Sequence, residues 1–528
     1  MSLSVSLIGQ LLLARKFHTQ PSIGTMSGSL TFLFSPFSPA DLVKPEATII
    51  AFIGENLRIG THTVDLLTDL DLQLFARAAA DDGFRGKAKE TMTFFAGGRR
   101  IVFVGCGAAP VMPVDLGARA AAAAGYAARI VIVCDLPEGP DLSCEAVAQL
   151  ALGFRLASYR FDIYRTSRPE PQLPEDRTVT LLTTSVEAAQ IAYTRDSAVA
   201  DGVEFARSLV NEPGNVLTPS EFARRVRTLD AVGVEVEILN EAELERMGFR
   251  ALLGVGQGSV QESHVAILRW HGAPDRDAPP LAFIGKGVCF DSGGISIKSA
   301  TDMAEMKGDM AGAACVTGLM LALASRRAPV NVVGAIGLVE NMPGGKAQRP
   351  GDIVRSLSGQ TIEIIDTDYE GRLVLADLLW HVQSTFRPRF MIDLATLTHD
   401  IVTGIGRERA GLFSNDDELA TRLNLAAIAT GELVWRMPMG PNFDEEMDSK
   451  IADVRNIDSP FGGACTAANF IQRFVNAVPW VHLDIAGPAY DLPKSAISPS
   501  WGTGWGVRLL DRLVRDLEHQ HEGTAPRR

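Results

Sequence analysis

Short apolar runs rich in Val, Ile, Phe and Leu alternate with longer helix-like stretches along this chain, and that alternation restricts it to α/β architectures. In a first block, the runs at 48–53, 101–105, 130–134 and 178–183 read as strands, with an alanine-rich helix over 116–128. In a second block, strands are expected at 234–239, 265–270, 281–284, 330–336, 361–365, 391–394 and 481–485, and helices over 312–324, 373–386 and 467–475. Each block needs its own sheet, and 528 residues are more than one core commonly serves. The expected fold is a smaller N-terminal α/β domain, residues 29–185, and a larger C-terminal α/β domain, residues 210–528, with a mixed central sheet flanked by helices. Residues 186–209 read as one long linking helix, ended by the turn cluster Asn211-Glu212-Pro213-Gly214-Asn215.

Residues 1–28 are set apart as a disordered leader. The first 26 hold Arg15, Lys16 and His18, no acidic residue, and one short apolar run, Leu11-Leu12-Leu13-Ala14. No basic segment precedes that run, no clear cleavage site follows it, and Met26 offers an alternative start. No apolar run reaches the roughly 18 residues needed to cross a membrane. The formal net charge of −13 argues against a nucleic-acid surface. Six cysteines occur, none in a C-x-x-C pair, so they read as reduced core residues of a cytoplasmic protein.

Chemistry concentrates in the second block. The segment G-K-G-V-C-F-D-S-G-G-I-S-I-K at 285–298 sets Lys286 directly after an apolar strand and Asp291 after a second apolar run, Val288-Cys289-Phe290. Asp309 opens a long apolar helix. Past the strand at 361–365, I-I-D-T-D-Y-E-G-R-L supplies Asp368, Glu370 and Arg372. In an extended chain Asp368 and Glu370 would face one way. Taken singly, such residues are ordinary ion pairs or helix caps, and a carboxylate at a helix start needs no other reason. As a set, four carboxylates with Lys286 and Lys298, flush against apolar strands, need a cation to neutralise them. Carboxylate oxygens suit hard or borderline cations. Two such ions about 3.5–4 Å apart share a bridging carboxylate and water, and lower the pKa of that water. A lysine serves as ligand only when its amine is neutral.

Other readings fit less of the chain. D-S-G-G at 291–294 suggests a serine nucleophile at Ser292, but neither His264 nor His482 carries a supporting signature as its base. Gly254-x-Gly256-x-Gly258 lacks dinucleotide-binding spacing, and neither a P-loop nor H-E-x-x-H occurs.

The segments 285–298, 306–314 and 366–373 resemble the signatures of the leucine aminopeptidases, also called cytosol aminopeptidases. The family hallmark is N-T-D-A-E-G-R-L, and this chain has D-T-D-Y-E-G-R-L. Further matching segments are L-V-N-E-P-G-N at 209–215, E-N-M-P-G-G-K-A-Q-R-P-G-D at 340–352, D-L-A-T-L-T at 393–398 and G-G-A-C-T-A-A at 462–468. The resemblance implies release of N-terminal amino acids from peptides with a free N-terminus, by water activated at two divalent ions, Mn or Zn. Lys286, Asp291, Asp309 and Glu370 would hold one ion, and Asp291, Asp368 and Glu370 the other. Lys298 would stabilise the oxyanion. Arg372 would hold a bicarbonate acting as general base, and Met306 and Thr396 would line the pocket for the first side chain. A homo-hexamer is implied as well. The alternative from another class is an inactive homologue serving as an oligomeric scaffold, on DNA for instance.

Three residues depart from the family pattern. Asp366 stands for Asn and adds a charge, and Tyr369 stands for Ala between two carboxylates. His399 stands for Gly after L-T, where it either narrows the pocket or simply starts a helix. The metal and the preferred N-terminal residue are left open.

Overall fold

The computed structural model describes residues 29–523 apart from 38–45, 108–110, 138–140, 168–173, 458–460 and 493–494. The expected leader lies outside the described residues. The first sheet is built from β1 (Ser29–Ser35), β2 (Thr48–Gly54), β3 (Arg58–Ile59), β4 (Thr91–Ala96), β5 (Arg99–Gly107), β6 (Arg129–Val133) and β7 (Asp176–Leu182). Its order is β1-β7-β6-β2-β5-β4, with β3 beside β2, and it is parallel except where β4 meets β5 and β3 meets β2. Strands β1 and β4 escape a reading of apolar runs. In β4, T-M-T-F-F-A buries only alternate residues, the mark of a strand with one wet face.

The second sheet uses β8 (Glu235–Leu239), β9 (His264–His271), β10 (Leu281–Asp291), β11 (Asn331–Asn341), β14 (Phe390–Ala395), β15 (Ala410–Ser414), β16 (Val434–Arg436) and β18 (Trp480–Asp484). The order is β16-β15-β18-β14-β10-β11-β9-β8. The centre, β18-β14-β10-β11, is parallel, and antiparallel pairs at β15/β18, β11/β9 and β9/β8 make the sheet mixed. A small third sheet joins β12 (Ile353–Arg355), β13 (Thr361–Glu363) and β17 (Val454–Arg455). Two cores flank the central sheet. Leu281 and Phe283 of β10 pack in the core that holds the helix Ala311–Ser325, while Ala282 and Ile284 pack in the one that holds Gly371–Phe386. The one stretch among the described residues long and apolar enough to cross a membrane, Met306–Ser325, is buried in the first of these cores.

The helix Val186–Asn211 runs between the two sheets and is bolted to both sides. Its buried Arg207 donates to the carbonyl oxygens of Leu156 at 2.7 Å, Thr503 at 2.8 Å and Ile497 at 2.8 Å.

Two expectations near the chemistry change. The strand expected to stop at Ile284 continues through Gly285-Lys286-Gly287 to Asp291. The glycine is there for close packing rather than for a turn: a Cβ on Gly285 would lie 2.6 Å from the Ala313 Cα. The segment carrying Asp368 and Glu370 is not extended. β13 ends at Glu363, and Asp366 Oδ1 accepts the Asp368 N–H at 2.9 Å to form a turn. Glu370 then caps the helix Gly371–Phe386.

Candidate metal centre

Parallel pairing fixes where the acids meet. β10 and β11 end side by side, with Asp291 opposite Asn341, while β14 stops earlier, with Leu394 beside Gly285 and Thr396 just past Ala395. Carboxyl ends of parallel strands are where α/β sheets place their sites. Asp309 arrives on the short turn Met306–Gly308 that leads into the helix Ala311–Ser325, and Glu370 comes from its own helix start. Asp291, Asp309 and Glu370 each offer an oxygen, and these oxygens lie within 4.8 Å of one another.

Two ammonium groups are threaded among the acids. Lys286 Nζ donates to Asp309 Oδ1 at 2.9 Å and to Thr396 O at 2.9 Å, and lies 2.8 Å from Glu370 Oε1. Lys298 Nζ lies 2.9 Å from Asp291 Oδ2 and 2.5 Å from Asp368 Oδ1. Lys286 is sealed in, with its side chain 3% exposed, whereas Lys298 sits nearer the opening at 15%. Thr396 also donates its hydroxyl to Asp309 Oδ1 at 2.7 Å.

Burial pushes the Asp309 carboxyl well above its usual range, with Lys286 pulling down and Glu370 and Asp291 pushing up. Asp291 is also raised, by burial and then by Glu370. Asp368 is pushed up to about 7 by burial and by its neighbours Asp291 and Glu370. Burial raises Glu370 too, but Lys286 and Lys298 outweigh it and hold it low. Both lysines stay above their usual range despite burial, because the acids surround them. Four carboxylates thus face two ammonium groups in a dry site. Asp309 Oδ2 and Asp368 Oδ1 are buried and accept no well-aligned hydrogen bond, although the ammonium groups lie 2.8 and 2.5 Å away. Oxygens that are close together, buried and under-used suit a divalent cation.

The structure gathers Lys286, Lys298, Asp291, Asp309, Asp368, Glu370 and Thr396. Met306 is half-buried on the turn that delivers Asp309. Arg372 makes no ion pair with these acids; its Nη1 donates to Asn456 O at 2.6 Å, and Glu370 is among the charges acting on it. His399 is exposed at the start of the helix His399–Ile405, capped by Thr398. Asp366 uses one oxygen to accept the Asp368 N–H, a role an asparagine would fill equally. Ser292 is buried and donates to Asn341 O at 2.8 Å, which leaves no nucleophile there.

Sequence reasoning missed two supporting amides. Asn341 Nδ2 donates to Asp291 Oδ1 at 2.8 Å and to Thr367 O at 3.0 Å. Asn456 accepts from Ile365 N at 2.8 Å and donates to Asp366 O at 2.6 Å, pinning the turn. Asn341 lay in a recognised motif, but its target emerges only from the β10/β11 register. The turn after Asp291 needs glycine: Gly293 and Gly294 have φ of 84° and 68°, and a Cβ on Gly293 would lie 2.7 Å from Asp368 Oδ1.

A mixed α/β sheet with lysine-laced acids at its carboxyl edge defines a metal-dependent hydrolase. Residues 204–511 match the catalytic domain of the cytosol aminopeptidase family and residues 65–168 its N-terminal domain. A probable cytosol aminopeptidase from Xanthobacter autotrophicus is 52% identical over 93% of this chain and 99% of its own length. One from Methylorubrum populi is 50% identical with the same coverage. Among solved structures, a lysine-to-glutamate mutant of tomato leucine aminopeptidase superposes with a TM-score of 0.83 at 31% identity, covering 93% of this chain and 97% of that one. The bottromycin maturation enzyme BotP in complex with Mn gives 0.79 at 33%, covering 90% and 100%. The chain belongs to the cytosol aminopeptidase family, and its activity is that of a metal-dependent aminopeptidase.

Proposed function

We propose that this enzyme removes N-terminal residues from peptides at a centre of two divalent ions, with Lys286, Asp291, Asp309 and Glu370 around one and Asp291, Asp368 and Glu370 around the other. The observation that carries this reading is the cluster of three buried carboxylates, Asp291, Asp309 and Glu370, with the partly exposed Asp368 beside them, interleaved with Lys286 and Lys298. Manganese and zinc both suit such donors. When bound, the ions supply Lewis acidity and a water nucleophile near neutral pH. The chain's own residues do the rest. Asp291 and Glu370 would be the ligands shared by both ions. Lys286 would serve as a ligand only after giving up one of its three ammonium protons, which now donate to Asp309 and Thr396. Lys298, the more exposed ammonium, is placed to meet an oxyanion at the opening.

Arg372 is a buried cation at 1% exposure, and its Nε has no hydrogen-bond partner. Those features suit a small oxyanion, and we assign it bicarbonate as general base. Met306 and Thr396 line the pocket for the first side chain. Residues 29–185 form the N-terminal domain, 186–209 the link and 210–528 the catalytic domain. By family likeness the enzyme works in the cytoplasm as a homo-hexamer, which light scattering tests. A leucine-like preference is the starting expectation. No observation favours the inactive-scaffold alternative.

The test is purified protein with added Mn²⁺ or Zn²⁺ and leucyl-p-nitroanilide. Release of nitroaniline that depends on the metal supports the reading. Bound metal without hydrolysis of any of several aminoacyl substrates would sink it.

A further inference from the structure

Tyr369 sits between Asp368 and Glu370, at a motif position where a small alanine would suffice, and its ring is not idle. The Arg372 guanidinium carbon lies 5.0 Å from the Tyr369 ring centroid and 5.9 Å from that of Phe470. The cation therefore rests against two aromatic rings. Its Nη1 is committed to Asn456 O at 2.6 Å, while its Nε is buried with no partner. No ion pair joins this guanidinium to a carboxylate among the described residues, and burial lowers its pKa to about 10. Glu370, Asp484 and Asp400 favour the charge from a distance, but none of them touches it, and aromatic faces offset only part of the cost of burial. What is left over is a fixed, dry N–H edge of the kind that binds one small planar oxyanion.

We propose that Tyr369 is a positioning residue for that anion site. Its ring closes one face of Arg372, holds the guanidinium in place together with Phe470, and keeps water off it, so that a small oxyanion binds more tightly. Tyr369 is half-buried and its neighbour Arg372 almost fully so, with the guanidinium against the Tyr369 ring. The ring does this work and the hydroxyl does not, because the cation–π contact is made by the face. This proposal rests on the reading of Arg372 as the anion holder.

The experiment uses the full metal-loaded chain in bicarbonate-depleted buffer and titrates bicarbonate against aminopeptidase rate for wild type, Tyr369→Phe and Tyr369→Ala. Tyr369→Phe keeps the wild-type half-saturating concentration. Tyr369→Ala raises it about tenfold, with the rate recovered at saturating bicarbonate, since a partly desolvated cation–π contact is worth about that much. A half-saturating concentration that is unchanged or lower in Tyr369→Ala overturns the proposal. If wild type does not respond to bicarbonate at all, the choice of bicarbonate fails by itself, and phenylglyoxal labelling of Arg372, followed by peptide mass mapping, decides about Tyr369. Protection in wild type and Tyr369→Phe with faster labelling in Tyr369→Ala supports the positioning role; equal labelling in all three overturns it.

Discussion

The two α/β sheets of this chain treat a buried acid in opposite ways. In the first, Asp135 is buried and raised by burial, yet both its oxygens are used: Oδ2 accepts Thr63 N at 2.9 Å and Oδ1 accepts the Thr63 hydroxyl at 2.7 Å. In the second, Asp309 Oδ2 and Asp368 Oδ1 are buried without a well-aligned donor, and two ammonium groups are shared among four acids. One acid satisfied by the backbone it braces is architecture. Several acids that the protein satisfies only in part are a site suited to a cation. The sheets share their layering, so the difference lies in the strand ends and not in the fold.

Substitutions break or sharpen that contrast. The largest effect is expected from Glu370→Gln, which removes a charge central to the cluster. Metal content and rate should both fall, the rate by more than about a hundredfold, the scale at which even outer partners of a metal matter. Metal analysis and leucyl-p-nitroanilide kinetics check it; a variant that keeps two ions and full rate removes Glu370 from the ligand set. Next comes Lys298→Met, expected to lower kcat about 10²–10³-fold, as loss of an oxyanion donor does, while metal is retained. A large loss of metal would instead make Lys298 part of the holding set.

In the first sheet the effects concern stability. Phe103→Ala empties a fully buried position and should cost about 3–5 kcal/mol in denaturant unfolding. Metal bound per folded chain should not change, and if it does, the first sheet is more than a scaffold. The smallest effect belongs to Asp135→Asn, which gives up one of two acceptors and costs about 1 kcal/mol. Burial raises the folded pKa of Asp135, so the native state holds its proton more tightly than the unfolded chain does. That contribution is complete below the ordinary carboxylate pKa and is lost as pH rises through the folded value. Wild-type melting temperature relative to the variant should therefore fall as pH rises above about 4. A difference that grows with pH would contradict the assignment.

Much of this was legible in the sequence, for identifiable reasons. Lys286 and Asp291 stand out because charges seldom adjoin apolar strands, and both do lie on a central strand. The two-sheet layout followed from apolar runs alone. What stayed hidden depends on contacts distant in the chain. That β10 runs on through Gly285 depends on how closely the helix Ala311–Ser325 approaches. The turn that brings in Asp368 is pinned by Asn456, some 90 residues away. Tyr369 shows in the sequence only as a departure from alanine, whereas its contact with Arg372 emerges once Phe470 is folded against the same guanidinium.

The central claim is that these acids and Lys286 hold two ions with shared ligands. Counting metal by mass spectrometry in manganese-equilibrated wild type, Asp368→Asn and Asp309→Asn tests it most directly. The account predicts two ions per chain in wild type and one in each variant, with hydrolysis lost in both. Two ions retained in either variant, or no bound metal in an active wild-type enzyme, would contradict it.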